Sequence, residues 1–377
     1  MTTLAYTQNG GTYVGRVWLT DADGPAVVTV RDGRLVDITS KTAPTVRDVF
    51  ELGDPLTHVK TAEGRDLCAV EDIDSADGIK LIAPSDLQAI KACGVTFAES
   101  MVERVIEERA AGDPDKANEL RQKIGAEIGA SLSEVVPGSE KAALAKQALM
   151  REGLWSQYLE VGIGPYAEVF SKSQPMSAVG AGALVGIHPE SRWNNPEPEI
   201  VLAVNSKGDI IGATLGNDVN LRDFEGLSAL LLGKAKDNNA SCSMGPMIRL
   251  FDETYGMDDV RKAALDLNVT GTDGYKLEGH SNMGKISRDP TDLVKQTHGR
   301  HHQYPDGFML FLGTLFAPTQ DRDGEGKGFT HHVGDVVTIT NAELGALSNT
   351  VELSTECPEW TFGAGALMRN LAGRGLL

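Results

Sequence analysis

Three acidic residues, Glu197, Glu199 and Asp218, lie close enough in the sequence to form one site for a divalent metal ion. Glu197 and Glu199 are two residues apart, and residues with this spacing in a strand project from the same face. Carboxylates that share one face repel one another unless a cation neutralises them. Oxygen ligands suit Mg²⁺, Mn²⁺ or Ca²⁺ rather than Zn²⁺. Because the chain contains 53 acidic residues, the pattern also allows a cluster without function.

The residues between these acids predict a β-hairpin that would bring them together. An apolar run, residues 200–204, directly follows Glu199 and predicts a buried strand. Residues 206–209 have the sequence SKGD, which is typical of a turn, and the following IIGATLG predicts the returning strand. A hairpin of this kind can return Asp218 to the side of the two glutamates.

The composition indicates a globular chain and argues against a nucleic-acid-binding protein. The 377 residues suggest about two domains. A hydrophobic content of 41% and a charged content of 23% are ordinary for a soluble protein. The net charge of −18 is opposite to the basic surface that nucleic acids require. An anionic substrate would therefore need a local metal ion, lysine or arginine.

The cysteines and the N-terminal sequence predict a reduced, cytoplasmic protein. The four cysteines are widely spread and form no C-x-x-C pair, so the sequence indicates neither a disulfide nor a zinc framework. The first residues have neither the basic start nor the apolar core of a signal peptide. No window approaches the roughly 18 apolar residues that a membrane-spanning helix needs.

Three regions of the chain differ in their secondary-structure patterns. Residues 1–84 contain short β-branched runs between Asp-Gly and Asn-Gly turns, which predict an N-terminal β-rich domain. Residues 85–157 predict a helical lid or linker, because Ser85 and Thr96 each have the spacing of a capping box. Residues 158–377 are again rich in strand patterns and contain the acidic hairpin.

The helix predicted after Thr96 is amphipathic. Apolar residues recur every four positions from Phe97, and this period predicts one apolar face. The charged residues 103–104 and 107–109 lie on the other face, and we interpret most of them as exposed to solvent.

Other kinds of site have weaker support in the sequence. Five of the eight histidines lie within residues 298–302 and 331–332, but HGRHH lacks the spacing of a zinc site with an accompanying carboxylate or cysteine. The run GAGALVG lacks the G-x-G-x-x-G spacing of a nucleotide loop. The sequence contains neither G-x-S-x-G nor a P-loop, which disfavours a serine hydrolase or a kinase. We interpret Lys234 as a surface residue.

The order of several motifs resembles that of the fumarylacetoacetate hydrolase superfamily across about residues 85–355. This resemblance implies an α+β fold, with a mixed β-roll catalytic domain preceded by a smaller N-terminal β-rich domain. It implies that Glu197, Glu199 and Asp218 hold Mg²⁺, with Mn²⁺ as the alternative. It also implies that Lys236 and Thr314 contact the substrate. The motifs are, in chain order, FSK, PEPE, NDVNLRD, AK, FLGT and GDVVTITNAELGALSNTV.

One position departs from the hydrolases of this family. They carry G-x-N-Y-x-x-H-x-x-E, and here Ser100 stands at the histidine while Glu103 keeps the glutamate. A serine cannot act as a general base near neutral pH, so hydrolysis of a carbon–carbon bond is disfavoured. Glu168 and the closing TFGAGALMRNLAGRGLL resemble the sugar-acid dehydratase branch. That branch implies a hydro-lyase that converts a 2-keto-3-deoxy-D-pentonate, from xylonate or arabinonate, into 2,5-dioxopentanoate in non-phosphorylative pentose catabolism.

The resemblance also suggests roles for the residues around the metal. Mg²⁺ would chelate the substrate's carboxylate and ketone, and Lys236 and Glu168 are the candidates for the proton transfers, in either order. A lysine near Mg²⁺ can have a lowered pKa, and a glutamate shielded from water a raised one. Ser100 and Thr314 would position the substrate, and Glu103 would guide the leaving hydroxyl as the lid closes.

Two other functions stay open from the sequence. A hydrolase or decarboxylase of a β-diketo or 2-keto acid in the same superfamily would share the metal and enolate chemistry but would need a base that activates water. A non-catalytic member of the family would bind a metal for structure alone. That function would not explain why Lys236 and Thr314 follow the acidic residues in the same order as in the family. Since members of the family are typically homodimers or dimers of dimers, the resemblance implies a homo-oligomer.

Overall fold

The computed structural model describes residues 10–117, 119–120, 135–151, 153, 155–316 and 318–377. Its strands, in chain order, are β1 (Tyr13–Leu19), β2 (Gly24–Arg31), β3 (Arg34–Asp37), β4 (Arg65–Ala69), β5 (Ile79–Ile82), β6 (Ala89–Gly94), β7 (Glu168–Ser173), β8 (Leu184–Ile187), β9 (Asn194–Asn195), β10 (Pro198–Val204), β11 (Ile210–Asp218), β12 (Asn220–Leu221), β13 (Cys242–Leu250), β14 (Ala264–Thr270), β15 (Lys276–Asn282), β16 (Phe308–Phe311), β17 (Val336–Asn341) and β18 (Gly345–Leu353).

The described helices are α1 (Val46–Glu51), α2 (Pro55–Thr61), α3 (Ala98–Ala110), α4 (Glu140–Arg151), α5 (Gln157–Ile163), α6 (Arg222–Leu227), α7 (Leu232–Lys236), α8 (Met257–Val260), α9 (Pro290–Thr297) and α10 (Ala364–Gly373). None of these described helices is both long enough and apolar enough to cross a membrane. The mixture of sheets and helices agrees with the predicted α+β class.

Most of the described strands form one large mixed sheet. Its order is β4-β3-β2-β1-β13-β11-β10-β16-β6-β7, with β5 beside β1. The five strands β15-β14-β17-β18-β8 form a second sheet. Strand β1 pairs directly with β13, so the N-terminal strands continue the sheet that carries the acidic hairpin. The boundaries of the three regions at residues 84 and 157 stay predictions.

Strand β10 lies between two hydrophobic cores. Ile200 and Leu202 belong to a core shared with Leu267 and Ile339 of the second sheet. Val201 alternates with them and belongs to a core that includes residues of α1. A strand buried on both faces reads as a continuous apolar run, which explains why residues 200–204 are uniformly apolar.

The hairpin predicted from residues 198–218 is confirmed. Strands β10 and β11 pair antiparallel, with Glu199 opposite Gly216. The turn closes with the N–H of Gly208 donating to the carbonyl oxygen of Asn205, over 3.1 Å. The hairpin therefore places its two ends, and the acidic residues on them, side by side.

Two short helices interrupt the N-terminal region, and the strand patterns did not predict them. The hydroxyl of Thr45 accepts from the N–H of Asp48 at the start of α1. The carboxylate of Asp54 caps α2, whose first residue is Pro55. Both are ordinary helix-start signals, but the helices are too short to show a clear apolar period.

The helical interpretation of the chain immediately after Ser85 is wrong. Residues 89–94 form strand β6, which pairs parallel with β16. The side chain of Gln88 accepts from the N–H of Asp86, over 2.8 Å, and so does not cap a helix. The helix that follows begins at Ala98, and the hydroxyl of Thr96 donates to the carbonyl oxygen of Leu312 instead of capping it. The side chains of Gln88 and Thr96 thus form other hydrogen bonds, one local and one to a distant strand end, in place of helix caps.

Candidate metal centre and active site

Glu197, Glu199 and Asp218 each offer a carboxylate oxygen within 4.8 Å of the other two. The side chains are buried, with at most 2% of any of these residues exposed. The N–H of Asp218 donates to the carbonyl oxygen of Glu197 over 3.0 Å, which holds the two hairpin ends together. The N–H of Gly313 donates to Oε2 of Glu199 over 2.7 Å. Within the described part of the chain, no other cluster of three His, Cys, Asp or Glu meets the same distance.

The charge of this triad suits a cation. Burial, followed by the charges of Asp218 and Glu197, raises the pKa of Glu199 well above its ordinary value. A bound divalent ion would remove that repulsion. Because all three ligands are carboxylate oxygens, the residues present fit Mg²⁺ or Mn²⁺.

Basic side chains from three other parts of the chain contact the triad. Nζ of Lys236 lies 2.5 Å from Oε2 of Glu197 and 2.9 Å from Oδ2 of Asp218. Nζ of Lys172 lies 2.8 Å from the other oxygen of Asp218. Arg104, on α3, forms an ion pair with Oε1 of Glu197. Each of these cations offsets part of the buried negative charge.

Lys236 is the last residue of α7 and is 2% exposed. Burial alone would lower its pKa, but the carboxylates of Asp218 and Glu197 outweigh burial and raise the pKa above its ordinary value. The lowered pKa expected from the sequence depends on a bound Mg²⁺ and stays a prediction. Lys234, on the same helix, is exposed, as predicted.

Glu168 begins strand β7 opposite Gly94 of β6. Its carboxylate lies so close to Gly94 that a β-carbon at that position would collide with Oε2. Glu168 is half-buried, and its carboxylate makes no hydrogen bond or ion pair with the described residues. Burial, and then the charge of Glu225, raises its pKa to about 7. The carboxyl group can therefore exchange a proton near neutral pH, as the sequence suggested.

Ser100 and Glu103 both lie on α3, but their described contacts are not with the metal triad. The hydroxyl of Ser100 donates to the carbonyl oxygen of Phe97 over 2.8 Å and accepts from the Phe97 N–H over 3.3 Å. Oε2 of Glu103 lies 2.9 Å from Nη2 of Arg222. These contacts hold the start and the middle of α3 in place.

Thr314 follows directly after the residue that binds Glu199. Its hydroxyl donates to the carbonyl oxygen of Phe316 over 2.8 Å. Gly313 has φ +98°, and a β-carbon there would collide with the hydroxyl of Thr96. Glycine is therefore needed at position 313 to present this N–H to Glu199.

The interpretation of the charges on α3 as solvent-exposed is wrong for Arg104 and Glu107. They are 7% and 1% exposed, and Nη1 of Arg104 lies 2.6 Å from Oε2 of Glu107. The same nitrogen lies 3.2 Å from Glu225 of α6. Nε of Arg222 donates to Glu107 over 2.6 Å, so α3 is joined to α6 by buried ion pairs.

A signal for these buried charges was present in the sequence. Apolar residues occupy both the series Met101–Val105 and the adjacent series Val102–Ile106, and all four are buried. Such a wide apolar stripe indicates a helix covered on most sides. The charged residues between the stripes must then face other parts of the protein rather than water.

Two proteins with similar sequences are both named as dehydratases of 2-keto-3-deoxy sugar acids. No family model matches the sequence. The chain is 27% identical over 281 residues to a probable 2-keto-3-deoxyxylonate dehydratase from Haloferax volcanii, a match that covers 74% of this chain and 91% of the relative. It is 31% identical over 188 residues to 2-dehydro-3-deoxy-D-arabinonate dehydratase from Saccharolobus solfataricus, covering 49% of this chain and 58% of that protein.

Solved structures with the same fold include both dehydratases and hydrolases. A 2-keto-3-deoxy-D-arabinonate dehydratase complexed with magnesium and 2,5-dioxopentanoate aligns with a TM-score of 0.62 at 20% identity, covering 90% of this chain and 99% of that one. A fumarylacetoacetate hydrolase from psychrophilic Exiguobacterium antarcticum aligns with a TM-score of 0.57 at 15% identity, covering 91% and 99%. The chain thus has the fold of the fumarylacetoacetate hydrolase superfamily, and its sequence is similar to those of 2-keto-3-deoxy-pentonate dehydratases.

Proposed function

We propose that this protein is a Mg²⁺-dependent hydro-lyase that dehydrates 2-keto-3-deoxy-D-pentonate to 2,5-dioxopentanoate. The observation that carries the proposal is the buried triad of Glu197, Glu199 and Asp218 with the ammonium group of Lys236 between two of its members. Relatives in sequence and neighbours in fold that are named for this reaction support it. Xylonate and arabinonate give the same 2-keto-3-deoxy acid, because only the C4 centre survives, so both pentoses are possible sources.

The triad would hold the metal ion at the keto-acid end of the substrate. Bound there, Mg²⁺ would offset the negative charge of the site and polarise the C2 carbonyl oxygen. The positive charge of the metal ion is needed, because the substrate is an anion and the protein has a net charge of −18. Arg104 contacts Glu197 and Lys172 contacts Asp218, and both cations offset part of the negative charge of the site.

We assign the removal of the C3 proton to Glu168. Its pKa of about 7 lets it take a proton near neutral pH, and its carboxylate is free of hydrogen bonds to the described residues. The electron pair of the broken C–H bond forms an enolate, and the C4–O bond then breaks. Lys236, which stays charged among the carboxylates, would donate the proton that completes the leaving water. The unsaturated 2-keto acid that remains tautomerises to 2,5-dioxopentanoate.

The lid residues would act after a rearrangement. The hydroxyl of Ser100 would have to leave the carbonyl oxygen of Phe97 to donate to the substrate, and Oε2 of Glu103 would have to leave Arg222 to guide the leaving hydroxyl. Thr314 would contact the substrate from beside Gly313, whose N–H binds a metal ligand. Catalytic contacts often tighten only in the substrate complex.

A hydrolytic reaction in the same fold has less support. It requires a group that activates water, and the residue at the corresponding position is Ser100, which is engaged at the start of α3. A homodimer or dimer of dimers, which the family resemblance implies, and a cytoplasmic location, which the spread of the cysteines supports, remain part of the proposal. An N-terminal β-rich domain at residues 1–84 also remains part of it, although strand β1 pairs with β13 of the large sheet.

Product formation tests the proposal directly. We expect purified protein with Mg²⁺ to convert 2-keto-3-deoxy-D-xylonate into 2,5-dioxopentanoate, measured by chromatography of the keto acids. EDTA should stop the reaction and excess Mg²⁺ should restore it. Folded, metal-loaded protein that gives no product would contradict the proposal, and products of carbon–carbon cleavage would favour the hydrolase.

A further inference from the structure

A short two-stranded sheet, β9 with β12, follows the hairpin that carries Glu197 and Asp218. The N–H of Asp218 donates to the carbonyl oxygen of Glu197, and beyond a short break in each strand Asn220 pairs with Asn195 in the same register. Alternate residues of a strand share a face, and directly paired residues project side by side. Asn195 and Asn220 therefore follow Glu197 and Asp218 on the same face.

Neighbouring side chains confirm the direction in which this face points. Val219 and Leu221, which alternate with Asn220, both belong to the hydrophobic core between the two sheets. Arg222 follows Leu221 and begins α6. It donates to Glu107 of α3, and its guanidinium carbon lies 4.4 Å from the centroid of the Trp193 ring. Along the chain, Asn220 is thus followed by Arg222, which belongs to the ion pairs that join α3 and α6.

Both asparagines are fully buried, yet most of their polar atoms have no partner. Each is 0% exposed, and Nδ2 of Asn195 donates to the carbonyl oxygen of Pro196 over 2.8 Å. Oδ1 of Asn195 and both Oδ1 and Nδ2 of Asn220 find no partner among the described residues. Buried polar groups are normally hydrogen-bonded, so three such atoms together, on the face of the metal ligands, indicate a polar ligand.

The chemistry of the two amides specifies that ligand. Together they offer N–H donors and carbonyl acceptors, which is the combination that binds alcohol hydroxyls, since a hydroxyl both donates and accepts. They carry no charge, so they would not bind a carboxylate preferentially. A 2-keto-3-deoxy sugar acid held by its carboxylate and ketone at the triad would extend its hydroxylated carbons along the ladder.

We propose that Asn195 and Asn220 form a subsite for the hydroxylated tail of the substrate and determine the preference for sugar acids over simple 2-keto acids. The identity of the ligand rests on the proposed function. A site built to hydrogen-bond a hydroxyl rejects an analogue that lacks it, because its buried polar groups are then left unpaired. Because both side chains are buried, the ligand enters when the covering lid moves.

Binding of two ligands that cannot react tests the subsite without requiring turnover. 2,4,5-Trihydroxypentanoate and 2-hydroxypentanoate share an α-hydroxycarboxylate that can chelate Mg²⁺, and they differ only in the hydroxyls of the tail. Neither has the ketone that acidifies the C3 proton, so neither is dehydrated by the proposed route. In calorimetric titrations with Mg²⁺, we expect the wild-type protein to bind the trihydroxy acid about tenfold more tightly.

The variants Asn195→Ala and Asn220→Ala should reduce this preference by roughly three- to tenfold each. Their affinity for 2-hydroxypentanoate and for Mg²⁺ alone should not change, since neither involves the amides. The matched control is Asn349→Ala, which removes another buried amide, one whose Nδ2 donates to the carbonyl oxygens of Gly180 and Ala183. It should lower the melting temperature and keep the preference. If an alanine variant does not fold, the serine variant at that position replaces it.

The possible outcomes separate the subsite from the reaction. The subsite is overturned if the wild-type protein does not prefer the trihydroxy acid, or if both variants keep this preference. If the variants keep the preference but lose stability, the amides hold only ordered water. Absence of 2,5-dioxopentanoate in the turnover assay, together with a preference that depends on the asparagines, contradicts the proposed reaction and leaves the subsite in place.

Discussion

Nζ of Lys236 lies between two of the predicted metal ligands, 2.5 Å from Oε2 of Glu197 and 2.9 Å from Oδ2 of Asp218. The ammonium group therefore uses the same carboxylates that Mg²⁺ would use. A bound metal ion would compete with Lys236 for these oxygens, and the lysine would then be available to a substrate. Metal binding and the position of the proposed proton donor are coupled through Glu197 and Asp218.

Replacing Lys236 should separate catalysis from metal binding. We expect Lys236→Met to lower kcat by about 10²-fold or more, because the proton donor is lost. Mg²⁺ affinity, measured by calorimetry, should be kept or increased, because a competing cation is removed. The matched control is Lys234→Met on the same helix, which is exposed and should retain activity. Undiminished turnover in Lys236→Met would exclude the role of this lysine.

The pH dependence should report the ionisation of Glu168. Burial raises its pKa to about 7, so the carboxyl group is mostly protonated below that pH and cannot act as a base. We expect kcat/KM to fall about tenfold per pH unit on the acid side and to level off above neutrality. In Glu168→Gln this limb should disappear along with most of the activity, whereas the exposed Glu190→Gln should keep the wild-type profile. Activity that instead rises on acidification would make Glu168 the acid.

Removal of the metal should lower thermal stability as well as activity. A ligand that binds only the folded state stabilises it by about 2.7 kcal/mol at one hundred times its Kd. We therefore expect Mg²⁺ to raise the melting temperature measured by circular dichroism and EDTA to lower it. Glu199→Gln should abolish this response, since Glu199 lies within the triad. A Mg²⁺-dependent shift that survives in this variant would place the metal elsewhere.

Gly313→Ala should damage the metal centre through the backbone. Gly313 has φ +98°, and the added β-carbon would meet the hydroxyl of Thr96. We expect a loss of about 1–3 kcal/mol in the free energy of unfolding, together with weaker Mg²⁺ binding because its N–H orients Glu199. Gly373→Ala serves as the control, since a β-carbon there meets no other atom within 4 Å. Equal effects of the two substitutions in urea denaturation would argue against this account.

The buried ion pairs between α3 and α6 should be costly to break. Arg222 and Glu107 are each 1% exposed, and Arg222→Met leaves a buried carboxylate with fewer partners. Removing one member of such a pair typically costs about 3–5 kcal/mol, measurable by urea denaturation. Arg34→Met, which breaks an exposed pair with Asp66, should change stability little. A similar small change in both variants would show that the lid does not depend on Arg222.

The hairpin that brings Glu197, Glu199 and Asp218 together was predictable because local rules determine it. The spacing of Glu197 and Glu199, the apolar run that follows and the turn before Ile210 all act within one short segment. Strand alternation then fixes which side chains share a face. The order of Lys236 and Thr314 behind the acids carried the family resemblance, and the fold agrees with it.

The parts that sequence patterns missed depend on contacts between distant segments. Arg104 and Glu107 look like surface charges until α6 is packed against α3. The capping pattern at Ser85 predicts a helix where strand β6 forms, because the partner of this strand, β16, lies far along the chain. Asn195 and Asn220 lie within or beside the family motifs, but only their pairing places them on the same face as Glu197 and Asp218.

The hairpin that pairs Glu199 with Gly216 also has a consequence for how the site assembles during folding. Its two strands are close in sequence, so closing the loop between them costs less entropy than bringing in Lys172 or Thr314 from more distant segments. We expect Glu197, Glu199 and Asp218 to come together before Lys172 and Arg104 neutralise part of their charge. Mg²⁺ could then join the chain at this early stage, and its availability would influence the rate at which the protein folds as well as the activity of the finished site.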